Sequence, residues 1–177
     1  MKFPKKLEKG ATVGLVCTSS AVQTERIPQC IAAMENLGYK VKTADNLDTN
    51  YGGYMAGTGK VRGEWINKMF ADPEVDAIFC IRGGDGSSRT MEYLDYDLIR
   101  KNPKIFVGYS DVTNYHLALT KHCDLVTFHG PMVSSNIVDG FDEETKASFF
   151  AAINGDNVIE YKNPEGYDIK VLKEGKA

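Results

Sequence analysis

The stretch from Lys104 to His122, KIFVGYSDVTNYHLALTKH, decides the fold, because it turns from a strand into a helix at one sharp corner. The apolar run 104–108 is typical of a buried strand, and the residues after Ser110 can wind into a helix. A strand that leads directly into a helix is the repeating unit of a parallel sheet covered by helices. A lone serine at such a corner also raises the question of function.

The rest of the chain repeats this alternation of apolar runs and helical spacing. We predict strands at residues 12–18, 39–44, 76–81, 104–108 and 125–130. Helices are predicted around 27–37 and 61–70, in part of 87–102, after Ser110 and within 142–155. The long, glycine-rich segment 46–59 is either a flexible connection or a binding loop. The predicted fold class is α/β with a parallel sheet.

The composition changes after residue 154. The last part of the chain contains Pro164, glycines and short alternating runs, which favour β structure. We therefore predict an α/β domain at 1–154. Residues 155–177 are predicted to be a linker and the beginning of a β-rich second domain that is cut short.

The bulk composition is that of a folded protein. The chain has 177 residues, of which 42% are hydrophobic and 25% are charged, with both signs mixed. A net charge of −3 without a basic stripe gives no reason to expect nucleic acid or an anionic membrane as a partner. The apolar stretch 11–17 is too short for a membrane span, so we expect a cytoplasmic protein.

The cysteines do not indicate a metal site. Cys17, Cys30, Cys80 and Cys123 are widely spaced and form no CxxC pair and no metal-ligand spacing with a histidine. We expect reduced thiols, which pack as small hydrophobic groups, and we expect neither a metal nor another cofactor.

Polar or glycine-rich sequences follow three of the predicted strands. They are CTSS at 17–20, RGGDGSS at 82–88 and GYSD at 108–111. In an open parallel sheet, ligands bind in the crevice beyond the carboxyl ends of the strands. If the three strands are neighbours, these exits converge on one crevice.

Ser110 has two interpretations at this stage. It is either a nucleophile on a strained elbow or, with Asp111, an ordinary helix N-cap, because the G-x-S-x-G elbow pattern has Val112 at its last position. A nucleophilic serine also needs a base. His116 lies inside the next helix and His122 at its far end, whereas His129 could approach the crevice but more often such a residue has a structural role.

The other two exits have similar alternatives. Gly83, Gly84 and Gly86 let the backbone approach a ligand closely, and Arg82 could bind a carboxylate, but the same loop could be only a tight turn. Ser19 and Ser20 could bind a ligand or cap a helix.

Three separated blocks, at residues 3–20, 81–113 and 127–132, together resemble the N-terminal part of the LD-carboxypeptidases. This is the serine peptidase family of muramoyltetrapeptide carboxypeptidases and microcin-immunity peptidases. The resemblance implies a flavodoxin-like, three-layer α/β/α fold with Ser110 as the nucleophile. It implies backbone oxyanion donors at Asp111 and Gly84, and no metal.

The resemblance also implies a reaction, which is release of the terminal D-Ala of a cytoplasmic peptidoglycan tetrapeptide. The RGGDGSSR block is closer to the peptidoglycan-recycling branch than to the microcin-immunity branch. We expect substrate contacts from one group of residues, namely Arg82, Gly83, Asp85, Ser19, Ser20 and His129. The full-length protein is expected to be a homodimer.

The family's triad glutamate and histidine lie in a second domain, and neither can be assigned in this sequence. We therefore expect this chain to carry the nucleophile but to be inactive alone. Two alternatives remain. The GGDG block also resembles the phosphate-binding loop of NAD kinases and diacylglycerol kinases, in which Asp85 would matter instead of Ser110. The chain could also be a peptide-binding fragment without catalysis.

Overall fold

A computed structural model describes residues 1–155, 166–168 and 170–175. Seven strands are present in these ranges: β1 Thr12–Val16, β2 Lys40–Thr43, β3 Asn50–Tyr51, β4 Met55–Ala56, β5 Ala77–Cys80, β6 Ile105–Gly108 and β7 Phe128–His129. The α-helices are α1 Ile27–Asn36, α2 Gly59–Ala71, α3 Tyr96–Lys101, α4 Thr113–Cys123, α5 Val138–Gly140 and α6 Glu143–Ile153.

Five of the strands form one parallel sheet in the order β2-β1-β5-β6-β7. Counted along the chain, this is the order 2-1-3-4-5 of flavodoxin-like sheets, in which the strand order reverses next to β1. The predicted fold class is therefore confirmed. The three strands whose exits carry the polar loops, β1, β5 and β6, are direct neighbours.

The middle of the sheet is buried on both faces. Phe106 lies on the face covered by α2 and α4, where its ring contacts Phe70 and Tyr115. Phe79 points to the opposite face and meets the ring of Phe149 on α6, at a centroid distance of 6.0 Å. Contacts among helices follow the same division, with α1 and α5 together on one face and α2, α3 and α4 on the other. The result is a three-layer arrangement, as expected for a doubly wound sheet.

Two segments form short irregular helices, the first where a partly helical segment was predicted and the second outside the predicted elements. The segment 87–102 begins with a 3-10 helix at Ser87–Tyr93 and only then becomes α-helical in α3. A π-helical turn at Val133–Ile137, which leads into α5, was not predicted at all. Both are short irregular helices whose residues do not repeat at the 3.6 spacing by which a helix is recognised in a sequence.

The segment 46–59 is an ordered hairpin. Strands β3 and β4 pair with each other, and the hairpin is also bonded to the loop after β1. Tyr54 O accepts from Ala21 N at 3.0 Å, and Ala56 N donates to Ser19 O at 3.1 Å. These bonds make the hairpin one wall of the crevice and favour the binding-loop interpretation of this segment.

The predicted start of a second domain at 155–177 lies largely outside the described residues. Gly166–Asp168 and residues 170–175 are exposed. A helix of the length and apolar character that a bilayer crossing requires does not occur in the described ranges.

Candidate active site

The three loops that follow β1, β5 and β6 meet at the carboxyl edge of the sheet. Ser20 Oγ donates to Gly83 O at 2.6 Å, which joins the first loop to the second. Ser19 Oγ donates to Asp111 Oδ2, also at 2.6 Å, which joins the first loop to the third. The sequence predicted that these three loops would converge if their strands were neighbours. The structure confirms this prediction.

Ser110 has a strained backbone and an exposed side chain. Its φ is +64°, in the left-handed region that residues other than glycine seldom adopt. An N-cap residue has extended backbone, and neither Ser110 nor Asp111 gives α4 a side-chain cap. The N-cap interpretation is therefore wrong. A strained serine at a strand-to-helix corner is the geometry of a nucleophile elbow.

Small residues make room for this elbow. A Cβ at Gly108 would lie 2.8 Å from Val112 Cγ1, so the strand can end here and turn directly into the helix only without a side chain. A Cβ at Gly83 would lie 3.3 Å from Ser110 Oγ. The glycine loop thus approaches the serine hydroxyl more closely than a loop with side chains could.

The carboxylate of Asp111 holds the three loops together. Its Oδ2 accepts from Ser19 Oγ and, at 2.9 Å, from the backbone N–H of Ser87. Asn114 Nδ2 donates to Oδ1 at 3.2 Å, and the backbone carbonyl of Asp111 accepts from Ser87 Oγ at 2.7 Å. The sequence analysis expected only the backbone N–H of Asp111 to have a role, as an oxyanion donor, and did not predict this role of the side chain.

Two backbone N–H groups beside Ser110 are free to bind a ligand. Within residues 1–155, neither Gly84 N nor Asp111 N donates a hydrogen bond. Gly84 has a φ of +133°, and a Cβ on it would lie 2.5 Å from Ser20 Oγ and 2.7 Å from the hydroxyl of Tyr54. This loop conformation, which exposes the Gly84 amide, therefore requires glycine. Paired amides near a nucleophile can stabilise a developing oxyanion.

The other predicted substrate-binding residues fall into two groups. Ser19 and Ser20 are buried and use their hydroxyl protons on Asp111 and Gly83, so they organise the loops. Asp85 is exposed, and Arg82 is half-buried with Nη1 donating to Ala21 O at 3.3 Å. Arg82 and Asp85 retain donor and acceptor capacity for a ligand, and their role remains a prediction.

Tyr54 is a site residue that the sequence did not indicate. Its hydroxyl lies over Gly84, and the side chain is 45% exposed. The position is set by the hydrogen bonds that attach the β3–β4 hairpin to Ser19 and Ala21. Only the length and glycine content of segment 46–59 indicated a binding role, and neither feature selects Tyr54.

His116 is occupied as a structural residue. Gly108 O can only accept, so Nε2, 2.8 Å away, carries the hydrogen, and Nδ1 then accepts from Thr127 Oγ1 at 2.9 Å. His122 is exposed and packs on the Tyr96 ring at the far end of α4. His129 is exposed near Tyr109, with ring centroids 6.0 Å apart. Within residues 1–155, no side chain hydrogen-bonds Ser110 Oγ, so the described part of the chain supplies no positioned base.

Burial of His116 makes folding stability depend on pH. Desolvation lowers the pKa of His116 below its ordinary value of 6.5, and the bond to Gly108 O only partly offsets this effect. The unfolded chain therefore takes up a proton just below pH 6.5 while the folded chain does not. Stability is fully present above 6.5 and decreases as the pH falls from there to the folded-state pKa.

We expect His116→Asn to remove this component of the pH dependence. The free energy of unfolding in urea, measured at about pH 7.5 and about pH 5.5, should fall less for the variant than for the unsubstituted chain. His122→Asn, which removes an exposed imidazole from the same helix, is the matched control. An unchanged slope in His116→Asn would contradict the assignment.

The thiols of Cys17 and Cys80, at the carboxyl ends of β1 and β5, are buried. Burial raises the pKa of the Cys17 thiol to about 12 and also raises the pKa of the Cys80 thiol, so neither is a ready thiolate. In the described ranges, His, Cys, Asp and Glu side chains form no group of three that could hold a metal ion.

The doubly wound sheet and the strained serine at a strand-to-helix corner together have the arrangement of a hydrolase-type nucleophile elbow. The sequence profile of the LD-carboxypeptidase N-terminal domain matches residues 13–130. The chain therefore belongs to the LD-carboxypeptidase family. This result favours the peptidase interpretation of the glycine loop over phosphoryl transfer.

Similar proteins agree with this assignment. A probable murein peptide carboxypeptidase of Bacillus subtilis is 43% identical over 147 residues, covering 82% of this chain and 46% of the relative. The murein tetrapeptide carboxypeptidase of Pseudomonas aeruginosa is 28% identical, covering 69% of this chain and 39% of the relative. The crystal structure of an MccF-like protein from Bacillus anthracis superposes with a TM-score of 0.80 at 32% identity, covering 86% of this chain and 47% of that one. The chain thus spans less than half the length of these proteins.

Proposed function

We propose that this chain carries the nucleophile of a serine carboxypeptidase that releases the terminal D-Ala of a cytoplasmic murein tetrapeptide. The observation that carries the proposal is the exposed Ser110, held at a φ of +64° near two amides, Gly84 N and Asp111 N, that donate no hydrogen bond within residues 1–155. The names of the Bacillus subtilis and Pseudomonas aeruginosa relatives support murein peptide as the substrate class. The homodimer expected for the full-length protein remains part of the proposal.

The geometry supports a covalent mechanism. Ser110 Oγ attacks the carbonyl carbon of the bond between an L-centre and the terminal D-Ala, and a base takes the hydroxyl proton. The oxyanion that forms accepts from Gly84 N–H and Asp111 N–H. Protonation of the D-Ala nitrogen breaks the bond and leaves an acyl-serine, which water then hydrolyses.

The substrate contacts are proposed from positions on the crevice rim. Arg82 can pair with a carboxylate of the peptide, and the Tyr54 hydroxyl can hydrogen-bond the chain near the scissile carbonyl. Asp85 and His129 are both exposed, and we propose that they contact more distal parts of the peptide. Gly83 contributes by allowing the glycine loop to approach the serine.

The base is proposed to come from a second domain, where the resemblance places the triad histidine and glutamate. Without them, residual acceleration in related systems is only about 10³- to 10⁴-fold over water, and this remainder depends on an intact substrate site. We therefore propose that the 177-residue chain is inactive alone.

D-alanine release tests this proposal. The 177-residue chain and a chimera are incubated with L-Ala-D-Glu-diaminopimelate-D-Ala, and free D-alanine is quantified. In the chimera, residues 1–155 are followed by the C-terminal part of the Bacillus subtilis relative. We expect release by the chimera alone.

The other outcomes are informative too. Release by the short chain would show that its base lies within its own sequence, with His129 the first suspect. A chimera that folds but releases no D-alanine would contradict the peptidase proposal for this substrate. Calorimetric binding of the tetrapeptide without turnover would then support a peptide-binding fragment.

A further inference from the structure

Arg62, on α2, is a buried cation that has no carboxylate partner within residues 1–155. Its side chain is 2% exposed, and its three hydrogen bonds go to backbone carbonyls. Nη1 donates to Thr18 O at 2.7 Å and to Gly86 O at 3.0 Å, and Nε donates to Gly57 O at 3.2 Å. A buried charge is costly unless it is well hydrogen-bonded, so this placement needs a physical reason.

The three carbonyls belong to three different segments around the crevice. Thr18 lies in the loop after β1, Gly57 closes the β3–β4 hairpin, and Gly86 lies in the glycine loop after β5. A guanidinium presents several N–H donors in a fixed planar fork, so one side chain can bind acceptors from different directions. Through these hydrogen bonds the buried Arg62 side chain connects the three segments to one another.

The peptide unit between Gly86 and Ser87 is held from both sides. All described peptide bonds are trans, so the C=O and the N–H of this unit point in opposite directions. The Gly86 carbonyl points to Arg62, and the Ser87 N–H points to Asp111 Oδ2, at 2.9 Å. Rotation of this peptide plane would break both bonds together.

A second link between the same two side chains runs through the first loop. Thr18 O accepts from Arg62, and the next residue, Ser19, donates its hydroxyl to Asp111 Oδ2. The guanidinium and the carboxylate are therefore bridged by two oriented backbone segments. Since Asp111 directly follows Ser110, whatever fixes Asp111 also fixes the nucleophile.

We propose that Arg62 is a positioning residue, which sets the glycine loop and Asp111 in the orientation that Ser110 needs. This inference rests on the proposed function for its catalytic consequence, but its structural part can be measured separately. A lysine cannot replace Arg62. Its single ammonium group cannot reach the carbonyl bound by Nε and the carbonyls bound by Nη1 at the same time, as the planar guanidinium does.

The structural part is tested by amide hydrogen exchange in the 177-residue chain with Arg62→Met and Arg62→Lys. The readout is the exchange rate of the Ser87 amide divided by that of Phe79, a buried amide in β5. We expect both variants to increase this ratio at least about tenfold, because local opening of the loop no longer breaks the bonds to Arg62. If Arg62→Met does not fold, Arg62→Lys still decides the question.

Lys104→Met is the matched control. Lys104 is also a buried cation that binds carbonyls, those of Met69 and Asp72, but it precedes β6 and lies at the opposite end of the sheet from Ser110. Lys104→Met should lower overall stability, which speeds the exchange of Phe79, but it should not increase the Ser87-to-Phe79 ratio. An unchanged ratio in the Arg62 variants, or an equal change in Lys104→Met, would overturn the proposal.

The catalytic part is tested by the same substitutions in the chimera. For Arg62→Met and Arg62→Lys we expect kcat to fall about 10- to 100-fold with KM within about threefold, since the substrate contacts remain. Lys104→Met should leave kcat within about threefold. A normal kcat in a chimera whose Ser87 ratio has changed would refute a role in the reaction. An inactive unsubstituted chimera would count against the proposed function, while the exchange ratio would still decide whether Arg62 positions the loops.

Discussion

Ser110→Ala is expected to abolish D-alanine release by the chimera, with kcat lowered by about 10⁴-fold or more. The reason is that Ser110 Oγ is the attacking atom of the proposed mechanism, and the thiols of Cys17 and Cys80 cannot replace it because they are buried and protonated. Stability should change by less than about 0.5 kcal/mol, since Ser110 is exposed and its hydroxyl makes no hydrogen bond within residues 1–155. Kinetics and urea unfolding of the same preparation measure both quantities.

Ser88→Ala provides the comparison for Ser110. Ser88 is an exposed serine two residues beyond Gly86, and its removal should leave kcat unchanged. A fluorophosphonate should add mass to the unsubstituted chimera and to Ser88→Ala but not to Ser110→Ala. Continued D-alanine release by Ser110→Ala would exclude the covalent mechanism.

Gly84→Ala is expected to impair both catalysis and folding. The new methyl group would lie 2.5 Å from Ser20 Oγ and 2.7 Å from the Tyr54 hydroxyl, so the glycine loop must move. Movement of the Gly84 amide removes one proposed oxyanion donor, and the loss of one such donor lowers kcat by about 10²- to 10³-fold. Alanine is also strained at the backbone conformation of Gly84, which lowers the free energy of unfolding by about 1–3 kcal/mol.

Gly53→Ala separates the two effects. Gly53 has a φ of +81°, but a Cβ there would meet no atom within 4 Å. The free energy of unfolding of Gly53→Ala should therefore fall by about 1–2 kcal/mol, because alanine must adopt a left-handed backbone, and kcat should stay unchanged. Equal kcat values for the two variants would show that the position of Gly84 does not matter for the reaction.

The fold could be predicted because it depends on local patterns. The continuous apolar runs around Ile78 and Phe106 indicate strands buried on both faces, and a chain of alternating strands and helices has few parallel topologies available. The polar loops after β1, β5 and β6 were expected to converge if these strands were neighbours, and the structure places the three strands side by side.

Arg62 and Tyr54 could not be predicted, because their roles depend on distant contacts. Arg62 occupies one helical position after Val61, where a charged residue normally faces solvent. It is buried only because Thr18, Gly57 and Gly86 bring three carbonyls to that point. Tyr54 similarly depends on how the hairpin pairs with residues 19–21.

The left-handed backbone of Ser110 has a consequence for how such a sequence can change over time. Glycine would adopt this conformation at no steric cost, whereas serine holds it only with backbone strain. Stability and chemistry thus oppose each other at a single residue, and most mutations elsewhere also reduce the margin of stability. A lineage that no longer needed the reaction would therefore be free to drift toward glycine at position 110, and a serine kept there is maintained against the preference of the fold.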